Sequence, residues 1–248
     1  MGFSFERPSM PEIRAHTLPV EEPRRITSDE RSPPMTPPRV LVFLHTVGQN
    51  PLAWQDQVTS LPAGMKAVAP WLRGLRPGRE EHFDLDAAAD EVLGQLNRFG
   101  VDSVALCGVG LGAAVAARAA LRSPDAVSHL VAVAGGVRPP KVLGRLQRAF
   151  ARQVPEQHFA GSALSREKFA EVVDALTRAD SSKAMAGITA STLVVLGADD
   201  RLNAEAARAM AEAVPGARLQ IVPGAGPLVN LDQPKLFNEL LYGFLTAS

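Results

Sequence analysis

The chain has 248 residues, 46% of them hydrophobic, which suits one sizeable α/β domain or two small ones and can fill a core. Lys plus Arg and Asp plus Glu balance at 26 each, so no bulk field favours nucleic acid or an anionic membrane. The single cysteine, Cys107, excludes an internal disulfide and a cysteine-based metal cluster, and its place at the end of an apolar run reads as a buried small hydrophobe.

The start, MGFSFERPSMPEIR, lacks the apolar h-region of a signal peptide, and no stretch approaches ~18 uninterrupted apolar residues, so a soluble, cytoplasmic protein is expected. Residues 1–38 carry prolines at 8, 11, 19, 23, 33, 34, 37 and 38 among charges. Each proline fixes φ and removes a backbone donor, so an extended N-terminal arm is expected, with IRAHTLPV (13–20) as a candidate edge strand.

From residue 39 the pattern changes to α/β and holds to 248. VLVFL (40–44) is a continuous apolar run, as a strand buried on both faces requires. His45 to Asn50 forms a loop, Trp54 to Leu61 a short helix, KAVAP (66–70) a strand and Trp71 to Glu81 a loop. Asp84 is placed to cap a helix in which Leu85, Ala88, Val92, Leu96 and Phe99 recur at helical spacing, and Gly100 ends it. SVALC (103–107) is the third strand, and an alanine-rich helix follows its glycine cluster. HLVAVA (129–134) is the fourth strand.

Residues 137 to about 188 interrupt the alternation with two amphipathic helices, Lys141 to Gln153 and Ser165 to Arg178, the second capped by Ser165. Such an insertion makes a small helical cap. TLVVL (192–196), a loop, the helix Ala204 to Val214, RLQIV (218–222), the loop GAGPLVNL and the helix Pro234 to Leu245 complete the chain. The fold class is α/β, a mostly parallel sheet with helices on both faces.

The stretch VALCGVGLGAAVAARAA (104–120) reads as strand, sharp turn and helix. This layout resembles the α/β-hydrolase superfamily over about residues 39–246. VLVFLHTVGQN is similar to the family's strand and oxyanion loop, and AVAPWLRGLRPG to its D-x-R-G-x-G loop. FGVDSVALCGVGLGAAVAARAALRSPDAVSHLVAVAG follows the nucleophile-elbow segment, STLVVLGADDRLN the acid segment, and VPGARLQIVPGAGPLVNLDQPKLFNELLYGFL the histidine segment. The family order is Ser, then Asp or Glu, then His.

The resemblance places the serine at Gly110, the acid at Asp200 (with Asp199 adjacent) and the histidine at Pro227. Glycine brings no nucleophile, and proline neither accepts nor returns a proton. None of the five histidines follows residue 158, so none substitutes. An acid alone orients nothing, because acylation needs a base to take the serine proton. The resemblance leaves oxyanion amides at Leu111 and in the 45–48 loop, where Thr46 stands in place of a glycine. It also puts Trp71 where the family has aspartate. The pocket and oxyanion candidates are therefore His45, Thr46, Val47, Asn50, Trp71 and Leu111.

Weaker signals add little. GVGLGA fits G-x-G-x-x-A, but the next strand ends in Ala134-Gly135-Gly136 without the acid that dinucleotide binding needs. Asp199-Asp200 lacks a nearby histidine for a metal. His45 reads first as a hydrogen-bonded structural group and His82 as solvated. Arg145, Arg148 and Arg152 make one basic helix face, either the outside of the cap or a dock for an acidic partner.

No cofactor or metal is expected. The expected function is that of a pseudo-hydrolase binding a small apolar ligand or a protein partner, with no nucleic acid or membrane role. The alternative is a lyase, isomerase or cyclase using the pocket and oxyanion amides without a Ser-His pair.

Overall fold

The apolar runs become the strands of one parallel sheet. The computed structural model describes residues 38–135, 165–178 and 184–247. The expected edge strand at 13–20, the helix at 141–153 with its basic face, and most of the arm lie outside the described residues. The strands are β1 (Val40–Leu44), β2 (Lys66–Val68), β3 (Val104–Val109), β4 (Val127–Val133), β5 (Ser191–Gly197) and β6 (Arg218–Val222). They pair in parallel in the order β2-β1-β3-β4-β5-β6.

All five residues of β1 and all six of β3 are buried, because helices cover both faces. Alternation along β1 sends Val40, Val42 and Leu44 into one apolar layer, and Leu41 and Phe43 into the other. The first layer is closed by α2 (Leu85–Leu93), α4 (Leu111–Arg122) and α6 (Ala204–Ala213). The second is closed by Trp54 and by α8 (Pro234–Thr246), whose Phe237 and Leu241 are fully buried. Phe43 stacks on Trp54 at 4.7 Å between ring centroids.

Polar side chains clamp α8 to α1 (Gln55–Thr59). Gln57 is buried and donates from Nε2 to Asn238 Oδ1 at 3.0 Å and to the Asn230 carbonyl at 3.3 Å. Tyr242 donates its hydroxyl to the Gln57 carbonyl. Burial raises the Tyr242 pKa, with buried Cys107 beside it adding to the effect, so the phenol keeps its proton for this bond.

Several boundaries differ from the periodic reading. The helix expected at 54–61 starts earlier, as a 3-10 turn at Pro51–Trp54, because Asn50 Oδ1 accepts from the Leu52 amide. Asp84 does cap α2, accepting from the Ala87 amide at 2.8 Å, and Gly100 does close the segment. Between them the helix is interrupted at Gly94, a residue that lends a helix little support, so α3 (Gln95–Phe99) is separate. A four-residue helix, α7 (Val229–Asp232), lies in the loop before α8.

The close approach of α4 to the sheet sets the position of the glycine turn. A Cβ on Gly112 would run into the Leu44 carbonyl oxygen, and one on Gly108 would run into the Gly112 backbone. Both obstacles are main chain and cannot swing aside. Gly112→Ala is expected to lose about 3 kcal/mol of unfolding free energy by overpacking, read by urea denaturation.

Candidate functional site

The end of β1, the turn before α4 and the loops after β5 and β6 meet at one rim of the sheet. At the turn, Gly110 has φ 52° and ψ −108°, backbone that a residue with a side chain adopts only under strain. Its amide donates to the Val133 carbonyl at 2.9 Å, which fixes the tip against β4.

Thr46 reaches this tip from the end of β1. Its Oγ1 accepts from the Leu111 amide at 3.2 Å. Leu111 begins α4, so its N–H has no partner within the helix and takes the hydroxyl instead. A Cβ built on Gly110 would lie 2.6 Å from Thr46 Oγ1 and 3.3 Å from Thr46 Cβ. The threonine hydroxyl therefore crowds the start of any side chain at position 110. The main chain holds it there: Gln49 donates its amide to the Thr46 carbonyl at 3.1 Å, and Gln49 Oε1 accepts from the Thr46 amide at 3.4 Å.

His45 faces away from this arrangement. It is fully buried, donates from Nδ1 to the Thr46 carbonyl at 3.0 Å and accepts at Nε2 from the Leu72 amide at 3.2 Å. The Leu72 bond makes Nε2 the unprotonated nitrogen and assigns the hydrogen to Nδ1. Burial lowers its pKa, and the bond to Thr46 opposes that only in part. The ring meets Trp71 edge-on, 5.2 Å between centroids. These bonds join the 45–49 loop to the 71–75 loop.

Asp200 is likewise committed. It is 4% exposed, and its two oxygens accept from the Asn203 amide (3.2 Å) and from Asn203 Nδ2 (2.7 Å). The Asp199 amide donates to the Ala225 carbonyl at 3.0 Å, and Asp232 Oδ2 accepts from Gly226 at 2.8 Å. These two bonds fix the loop that carries Pro227.

Above the elbow, described residues line a pocket of about 260 Å³. Thr46, Gly110 and Leu111 form one side, Asn203, Pro227 and Leu228 another. The described part of the expected cap is α5 (Arg166–Arg178) with residues 184–188, and α5 contributes Phe169, Val172, Val173 and Leu176. Val47 also lines the pocket, whereas His45, Asn50, Trp71 and Asp200 do not. Sequence reading missed Asn203, whose signal is its place three residues after the acid in GADDRLN. No ionisable side chain is among the described lining residues.

Polar contacts hold α5 to the 81–83 loop. Lys168 Nζ donates to the Glu81 carbonyl at 2.6 Å and pairs with Glu171 at 2.9 Å. Glu171 also accepts from the Phe83 amide and lies 3.4 Å from His82 Nδ1. Burial raises the Glu171 pKa, but Lys168, the Phe83 amide and His82 outweigh it and the net shift is downward. Ser165 Oγ accepts from the Lys168 amide, capping the helix as expected. Among the described residues no cluster of His, Cys, Asp or Glu is arranged to hold a metal, and no helix is long and apolar enough to cross a membrane.

The sequence model of the Alpha/beta hydrolase family matches residues 41–240. A protein of Klebsiella pneumoniae named "Putative carbamate hydrolase RutD" is 30% identical over 201 residues, 66% of this chain and 74% of its own. The enol-lactonase from Burkholderia xenovorans is similar in structure, with a TM-score of 0.74 at 18% identity, covering 86% of this chain and 92% of that one. A thermophilic esterase from Thermogutta terrifontis has a TM-score of 0.70 at 20% identity, covering 83% and 89%. These two likenesses concern the fold.

The folded His45 pKa lies below the unfolded one, so its neutral ring stabilises fully above the unfolded value and loses that contribution as pH falls through the folded one. Ring-nitrogen NMR is expected to find His45 as the Nδ1–H tautomer with a midpoint below the ordinary 6.5. A midpoint at or above that value overturns this assignment.

Proposed function

We propose, on the premise that the chain belongs to the α/β-hydrolase family, that it is a pseudo-hydrolase whose pocket binds a small apolar ligand without acyl transfer. One observation carries this reading: the Thr46 hydroxyl takes the Leu111 amide beside a side-chain-free Gly110. The amide that would stabilise an oxyanion already has an acceptor, and the Thr46 hydroxyl crowds the point where a side chain at 110 would start. Oxyanion stabilisation depends on donors left free for the charge that develops in the transition state.

The remaining polar groups support the same reading. Pro227 supplies no base, and both oxygens of Asp200 bind Asn203. The histidine next to Thr46 in the chain offers it no base, since both ring nitrogens of His45 are engaged by backbone groups. A lyase or isomerase would need an acid or base at the pocket, and its described lining offers no ionisable side chain.

Hydrolysis of p-nitrophenyl butyrate tests the proposal. The wild-type rate is expected to equal the rates of Thr46→Val and Asp200→Asn. Activity lost on either substitution would overturn it. The double change Gly110→Ser with Pro227→His is expected to stay inactive. Adding Thr46→Gly should raise the rate on the order of tenfold or more, since one oxyanion donor accounts for ~10²–10³ in kcat.

A further inference from the structure

We propose that the Thr46 hydroxyl is the pocket's recognition donor, and that the ligand is an uncharged apolar molecule carrying a carbonyl or ether oxygen. The inference rests on the pocket-binding reading above and specifies what that pocket selects.

A threonine hydroxyl has one hydrogen to give and lone pairs to receive. The Leu111 amide fills one lone pair at 3.2 Å, so the hydroxyl is an acceptor on that side. Its own hydrogen has no acceptor among the described residues, and Thr46 lines the pocket. The donor that the helix start offers is thus relayed one bond outward, from an amide nitrogen to a side-chain hydroxyl. Accepting from Leu111 also polarises the O–H and strengthens the bond it gives.

The surroundings set the ligand's charge and character. Leu111, Val172, Leu176 and Leu228 supply apolar wall, and no ionisable side chain lines the described pocket to pair with a charge. Bringing a carboxylate or an ammonium there leaves the ion desolvated and unpaired, whereas a neutral carbonyl gives up far less hydration. Asn203 is the other polar side chain on the described wall, and one of its two Nδ2 hydrogens goes to Asp200. The Thr46 hydroxyl facing these apolar side chains favours a molecule with an accepting oxygen on an apolar body.

Three probes of one shape separate the possibilities: butylbenzene, 4-phenyl-2-butanone and 3-phenylpropionate, each titrated into the full-length protein by NMR. The ketone is expected to bind about fivefold more tightly than the hydrocarbon, the increment of one neutral hydrogen bond, and the carboxylate more weakly than both. Thr46→Val should bind ketone and hydrocarbon alike while keeping the hydrocarbon affinity. Thr46→Ser, which retains the hydroxyl, should keep the preference and guards against a fold defect in the valine variant. A carboxylate preference, or a ketone preference that survives in Thr46→Val, overturns the inference. Equal wild-type binding of ketone and hydrocarbon also overturns it but leaves the pocket reading standing. If no probe binds the wild type, both fail.

Discussion

An α-helix starts with amides that its own carbonyls cannot reach. In α4 the first of these is Leu111, and the side chain that answers it comes from Thr46, at the end of a different strand. That bond ties the exit of β1 to the exit of β3 at the rim where the pocket lies. It also couples two positions that look independent in the chain. A Cβ at position 110 would lie 2.6 Å from Thr46 Oγ1, so a side chain there requires Thr46 to shift. Substitutions at 46 and 110 must therefore be strongly non-additive. Gly112 completes the arrangement by letting α4 lie against the Leu44 carbonyl.

The same accounting extends around the rim. Buried polar groups need partners, and a proton-transfer site leaves some of them for the substrate. Here His45 gives both ring nitrogens to the backbone, and Asp200 gives both oxygens to Asn203. These groups serve as braces between loops. The 45–49 loop is joined to the 71–75 loop, and the start of α6 is joined to the turn after β5. Lys168 and Glu171 extend the bracing to α5 by docking it on the 81–83 loop.

Much of the fold was legible in the chain because the signals for it are local. Uninterrupted apolar runs marked β1, β3, β4 and β5, and Asp84, Gly100 and Ser165 marked helix ends through chemistry within three or four residues. The sharp turn before α4 was legible in its glycines. What escaped depends on contacts distant in sequence. Thr46 and Leu111 are 65 residues apart, and nothing in either segment says that a hydroxyl will find that amide. Asn50 and Trp71 sit in the loops that led to their selection, yet Asn50 caps a 3-10 turn and Trp71 packs edge-on against His45. The break at Gly94 and the short α7 are small departures in helices whose periodicity otherwise read correctly.

The clamp between α1 and α8 has a consequence in time. Gln57 and Asn238 are 181 residues apart, yet their bond helps hold the layer containing Leu41, Phe43 and Trp54 beneath Phe237 and Leu241. During synthesis, β1 and β3 leave the ribosome long before the helix that covers this side of them. Until residues 234–246 emerge, one apolar face of the growing sheet lacks its cover, and closing it needs a contact across most of the chain. Long-range closure of this kind slows folding and exposes apolar surface in the meantime, so the order in which segments emerge bears on how safely this layer assembles.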